Sequence, residues 1–347
     1  MGNLLAYSGI VTKVRAMEAK LLNQEQFEKI ANMHSVQEIV QYLKESSGYH
    51  DMLEPVEVSA LHRGDIEKLL IQSFFTDYTK IYRFSTLKQR EFLRLYLKRY
   101  EINLINDCLR MVYNHRDDTI DLNYKKPFFD RYSSLPVDAM IASRTTSDLV
   151  TALKGTEYYE PLVLLTQNQK STLFDYDLAL DLYYFTTVWK KRKKVLKKKE
   201  LEIFTRDCGS KIDLLNLQWI YRAKRYYGMA PADIYSLLIP IHYKISTDLV
   251  KELVESPDQE AFSQTMKKTY YSRHYAFEGN LTTEKMYKEC LQHLYMLYKR
   301  RNPYSIAMIN TYLFLKEEEL KKLTTAIECI RYSLTPGETL AYVGGKA

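Results

Sequence analysis

Leu178-Ala179-Leu180-Asp181-Leu182-Tyr183-Tyr184-Phe185-Thr186-Thr187-Val188-Trp189-Lys190-Lys191-Arg192-Lys193-Lys194-Val195-Leu196-Lys197-Lys198-Lys199 is the stretch whose periodicity decides the fold. Leu178, Leu182, Phe185, Trp189, Leu196 and then Ile203 are separated by 4, 3, 4, 7 and 7 positions. A period of 3.6 residues gathers such a set onto one face. The spacing predicts one long helix running straight through the lysines, with Trp189 and Leu196 inward and the lysines outward.

The same periodicity recurs on both sides, in Leu69, Phe75, Tyr78, Ile81 and Tyr82 and in Leu291, Leu294, Tyr295 and Tyr298. No Val/Ile-rich alternation bounded by turn residues marks a strand. The 347 residues include only 11 Gly and 9 Pro, about half the usual share, which favours long uninterrupted elements. The chain is therefore expected to be all-α. Asn302-Pro303 reads as a helix start, with a capping residue before a proline of the first turn. Pro136, Pro231 and Pro257 mark further starts, each near an acidic residue that suits the helix dipole. The tail 335–347, with Gly344-Gly345, is expected to be loose.

A faint repeat runs through the sequence. Glu38-Ile39-Val40 leading to Tyr49, Asp148-Leu149-Val150 leading to Tyr158, and Glu260-Ala261-Phe262 leading to Tyr270 each open a short helix that ends in tyrosine. A second element follows each time: Ile102 to Asn106, Ile212 to Asn216, and Tyr304-Ser305-Ile306 leading to Asn310, the last with a shortened middle. Asp248-Leu249-Val250 also matches the first element. Copies this long are not solenoid repeats. They predict three related helical lobes, at 7–115, 116–225 and 226–334.

Charge is concentrated in one place. The formal net charge is +7, yet Lys190, Lys191, Arg192, Lys193, Lys194, Lys197, Lys198 and Lys199 are eight of the 50 basic residues, and without them 42 basic groups face 43 acidic ones. A general nucleic-acid binder shows a broader basic face. The run stands as the candidate interface, and three readings compete: a solvated helix face, a contact for an acidic protein or anionic lipid heads, and a nucleic-acid site.

No pattern of catalysis is present. The seven histidines, His34, His50, His62, His115, His242, His274 and His293, show no metal-ligand spacing with one another, with Cys or with Glu. Gly344-Gly345-Lys346 has no helix after it to form a phosphate loop. Asp117-Asp118 and Glu317 to Glu319 read as solvated carboxylates. The thirty tyrosines, several in doublets, suit helix interfaces with ring inside and hydroxyl at the rim, while stacking platforms for single-stranded nucleic acid are the rival reading. Cys108, Cys208, Cys290 and Cys329 read as scattered reduced thiols of a cytoplasmic protein, and the sequon Asn280-Leu281-Thr282 carries no weight there. The longest run without a charged residue, Asn302 to Leu315, is 14 residues, short of the ~20 a membrane-spanning helix needs. Met1 to Thr12 lacks the marks of a signal peptide. No metal or cofactor is expected.

Asn302-Pro303-Tyr304-Ser305-Ile306-Ala307, followed by Tyr312-Leu313-Phe314-Leu315-Lys316-Glu317-Glu318-Glu319-Leu320, resembles the C-terminal signature of the C subunit of the V/A-type rotary ATPases, called the d subunit in the eukaryotic V-ATPases. Tyr7 to Ala16 is similar to that family's N-terminal helix, and Tyr100 to Ile105 and the threefold repeat also fit. The resemblance spans about residues 7 to 334. It implies a funnel of three pseudo-threefold helical lobes on the cytoplasmic face of the membrane. It further implies partners in the D and F subunits of the central shaft and in the membrane rotor ring, with no nucleotide or nucleic acid bound. The alternative is a free-standing helical adaptor or RNA-binding scaffold built around 190–199.

Overall fold

The computed structural model describes residues 2–46, 48–58, 61, 63–114, 121–168, 170–275 and 282–343. Helices are the only regular elements among them, and their chain order runs three similar rounds. The first holds α1 (Gly2–Glu18), the short α2 (Gln24–Ala31), α3 (Val36–Glu45) and α4 (His50–Leu53), then the long α5 (Arg63–Phe84) and α6 (Leu87–Tyr113). The second holds α7 (Lys126–Tyr132), α8 (Val137–Ala142), α9 (Thr146–Ala152) and α10 (Tyr159–Gln167), then α11 (Leu173–Val195) and α12 (Lys198–Arg225). The third holds α13 (Pro231–Leu237), α14 (Thr247–Val254), α15 (Gln259–Lys267) and α16 (Tyr270–His274), then α17 (Thr283–Arg301) and α18 (Ile306–Arg331), and α19 (Pro336–Val343) closes the chain.

Local chemistry sets most starts. Asn23, Thr145 and Thr172 form capping boxes with Gln26, Asp148 and Asp175, each satisfying two otherwise orphaned backbone N–H groups. Ser35, Ser246, Asp258 and Thr269 cap α3, α14, α15 and α16. The three proline starts hold: Pro136 immediately precedes α8, Pro231 opens α13, and Pro257 precedes the Asp258 cap.

Packing divides the chain into two compact units, residues 1–90 with 302–347, and residues 91–301. In the first, α1, α5 and α18 pack on one another, and α2, α3 and α19 lie against α18. Ile30, Ile39, Leu43 and Leu70 meet Leu323 and Ile327 in its core. In the second, α12 lies along α17, α11 runs back along α12, and α9 and α14 pack on α10 and α12. Phe185, Ile212, Ile239 and Ile241 form a core cluster there.

Three expectations are corrected. The helix does not pass through the lysine run. It stops at Val195, Leu196 and Lys197 are extended (φ −110° and −133°), and α12 begins at Lys198. Leu196 and Ile203 are both buried, but on either side of an elbow, since a spacing of seven residues fits a chain that folds back as well as one that continues. The tail is not loose from 336 to 343: Val343 joins the first unit's core, while 344–347, with the Gly344-Gly345-Lys346 motif, lie outside the described residues. Finally, α18 starts at Ile306 with Ser305 as its cap, its hydroxyl accepting from the Ala307 N–H at 3.1 Å. Asn302-Pro303 belongs to the link before it.

Candidate functional site

Three places carry polar chemistry. The first is a joint that occurs three times, each time between a short helix of one round and a long helix of another. The Tyr49 hydroxyl donates to Glu319 at 2.5 Å, that of Tyr158 to Glu101 at 2.5 Å, and that of Tyr271 to Asp213 at 2.9 Å. Each tyrosine stands at the start of a short helix, and each carboxylate stands near the middle of a long one, α18, α6 or α12. All six residues are buried. Every carboxylate has further donors: the Leu22 N–H and Lys316 on Glu319, the Ser133 hydroxyl on Glu101, and the N–H groups of Tyr243 and Lys244 on Asp213. Burial, first, and the facing carboxylate, second, raise the three phenols above their ordinary pKa. Burial also raises Asp213, against the pull of its N–H and hydroxyl donors.

These joints correct two readings. Glu319 is not solvated; it is 5% exposed and held on both sides. In the third copy the participating tyrosine is Tyr271, one position after Tyr270, and the matching carboxylate is Glu319, well beyond the Tyr304–Asn310 stretch. Tyr49 and Tyr158 were marked by the repeat. Of the carboxylates only Asp213 fell inside a repeated stretch, Ile212 to Asn216; Glu101 stands just before its own and Glu319 well after Asn310, so the repeat did not align the three.

The second place is the elbow between α11 and α12. The eight basic residues proposed as one interface separate into two sets. Arg192 is buried; its guanidinium stacks on Trp189, bonds the Trp189 carbonyl and donates to the Thr205 hydroxyl at 3.0 Å. Lys191 reaches back to Glu157 at 2.9 Å, where Lys98 and the Tyr183 hydroxyl also bind. Burial lowers Lys98 to a pKa of about 8. Lys190, Lys193, Lys194, Lys197, Lys198 and Lys199 remain exposed. Lys198 has φ +49°, a left-handed conformation that costs a non-glycine residue roughly 1–2 kcal/mol.

The third is a groove of about 620 Å³ in the second unit, lined by Phe174, Leu178, Trp219 and Leu237 with Asp177 and Arg222. The Asp177 Oδ1 atom is buried without a hydrogen bond, and burial raises its carboxyl.

Burial pushes the thiols of Cys108, Cys208 and Cys290 up to about 12, so they carry almost no thiolate at neutral pH. Among the described residues no three His, Cys, Asp or Glu side chains could share a metal ion, and no helix is long and apolar enough to cross a membrane. His62, His115, Asp117-Asp118 and the sequon's Asn280-Leu281 lie outside those residues.

Residues 10–342 match the family described as the ATP synthase (C/AC39) subunit. The chain belongs to that family. Relatives agree along nearly its whole length. The C subunit of the A-type ATP synthase of Thermococcus kodakarensis is 27% identical over 347 residues, 97% of this chain and 90% of that one. Its counterpart in the A-type ATP synthase of Methanocaldococcus jannaschii is 24% identical over 352 residues, covering 97% and 86%, and that of Methanosarcina mazei is 28% identical over 268 residues, covering 76% and 71%.

Proposed function

We propose that the chain is the non-catalytic central-stalk subunit of a V/A-type ATPase or ATP synthase. In this reading it joins the D and F subunits of the central shaft to the membrane rotor ring and passes torque between them on the cytoplasmic face. The family match over residues 10–342 carries the proposal. The architecture supports it. A torque-bearing adaptor must be stiff, and close-packed interiors resist compression and transmit strain. In this reading each of the three rounds of helices contributes to one of three lobes. A buried joint ties a short helix of each round to a long helix of the round before it, the first round's closing onto the third. With no membrane-length helix among the described residues, the subunit sits on the ring and not within it. Each of its two interfaces should bury on the order of 1,000 Å² or more.

The experiment is omission and re-addition. Complexes assembled without the chain should hydrolyse ATP at the head but fail to drive ion transport, and adding it back should restore both attachment and transport. Normal ion pumping without it would overturn the assignment.

A further inference from the structure

We propose that the exposed lysines of the α11–α12 elbow form a contact surface for the headgroups of anionic phospholipids. The cluster is not explained by the fold. Lys191 and Arg192 serve the interior, but Lys190, Lys193, Lys194 and Lys198 have no carboxylate within ion-pair reach among the described residues, and Lys197 bonds only the Lys193 carbonyl at 3.0 Å. Lys193 and Lys194 end α11, where cations complement the helix dipole. Lys197, Lys198 and Lys199 occupy the opposite situation. They open α12, at its positive end, where no side chain caps the backbone; Glu200 stands in the first turn, and among the described residues Lys199 alone of the three pairs with a carboxylate, that of Glu202 at 3.0 Å. Local electrostatics therefore disfavours Lys197 and Lys198, and the surface gathers charge in spite of it.

The kind of partner follows from what accompanies the charge. Protein interfaces are enriched in aromatic residues and arginine and depleted in lysine at their centres. Here the large apolar side chain of the turn, Leu196, is 2% exposed, and the one arginine is buried against Trp189. Val195 and Trp189 are half-buried, so little apolar surface is offered to a protein partner. A nucleic-acid strand is followed along an extended basic track, whereas the rest of this chain is nearly balanced in charge. A bilayer surface presents a diffuse field of negative charge, to which flexible ammonium groups on one protruding turn are suited without any fixed geometry. The proposal goes further than the rotor reading and borrows from it only that a protein seated on a membrane ring has headgroups within reach. Its failure would leave the omission experiment unaffected.

The test is sedimentation of the full chain with vesicles of phosphatidylcholine, with and without phosphatidylserine, over a range of salt. Binding is expected to the phosphatidylserine vesicles alone and to fade as salt rises. Replacing Lys193, Lys194, Lys197 and Lys198 with Gln should lower the partition coefficient by roughly 100- to 1,000-fold, since each lysine near such a surface contributes about a factor of five. The same change at Lys154, Lys170, Lys251 and Lys267, exposed lysines elsewhere in the same unit, should have little effect. The milder pair Lys190→Gln and Lys194→Gln should give an intermediate loss. No binding to phosphatidylserine, equal losses in the two quadruple variants, or tighter binding to single-stranded RNA or polyglutamate than to vesicles at the same salt would each overturn the proposal.

Discussion

The hydroxyl of Tyr49 donates to the carboxylate of Glu319 at 2.5 Å, across 270 residues of chain, and Lys316 closes the triangle at 2.9 and 2.8 Å. The ammonium also lies 4.2 Å from the centre of the Tyr49 ring. A buried lysine and glutamate thus neutralise each other, and the tyrosine completes the hydrogen bonding that a buried ion pair requires. Replacing Tyr49 with Phe keeps the ring and removes the donor. It should destabilise the first unit by about 1–3 kcal/mol, the usual range for a lost bond to a buried charged group. Tyr158→Phe and Tyr271→Phe should do likewise in the second. Chemical denaturation of each variant checks this; three neutral substitutions would show that the joints carry no load.

The same joints make stability sensitive to alkali. The three phenols are held above their ordinary value of 10.0 and the buried thiols of Cys108, Cys208 and Cys290 at about 12 against 9.0. All are raised, so the folded state keeps protons that the unfolded chain releases. Their contribution is complete below pH 9 and is lost as pH rises beyond it. Denaturation midpoints should therefore fall steeply above about pH 10.5, once the opposing gain from Lys98, lowered to about 8 from 10.5 by burial, is complete. Combining the three phenylalanine substitutions should flatten that fall, because phenylalanine does not ionise.

Gly209 lies inside α12, where an added Cβ would stand 2.5 Å from the Tyr243 ring. Alanine would ordinarily strengthen a helix by about 1 kcal/mol at such a position. Here the ring must move, while the Tyr243 N–H also holds Asp213 at 3.1 Å. Gly209→Ala should therefore lower stability, by about 1–3 kcal/mol. A raised melting temperature would contradict the close approach.

The basic run should respond unevenly to substitution. Changing Lys193, Lys194, Lys197 and Lys198 to Gln should leave the melting temperature nearly unchanged, as exposed charges contribute little. Arg192→Ala should instead cost about 1–3 kcal/mol, from the lost stacking on Trp189 and the lost bond to Thr205. Thermal melts of the two variants separate the sets.

Much of the helical framework was legible from local chemistry. The stripe from Leu178 to Trp189, the scarcity of glycine and proline, and the proline starts act within a few residues, so they can be read along the chain. The tyrosine positions 49 and 158 also announced themselves, because each follows a short helix with similar residues, Glu38-Ile39-Val40 in α3 and Asp148-Leu149-Val150 in α9, although each tyrosine starts the next helix and does not end that one. The elbow at Leu196 did not. It contains no glycine, proline or asparagine, and the helix ends there because Leu196 is drawn into the core while Arg192 turns onto Trp189 and Thr205. Glu319 had the same fate. Among Glu317, Glu318 and Glu319, nothing local distinguishes the one that is buried, since its partners are Tyr49 and Leu22, almost a chain length away. Helix formation rests on neighbours three and four positions apart, and the sequence by itself determined it. Which charge faces inward and where a helix must turn back depended on contacts between distant segments, and only the tertiary structure decided them.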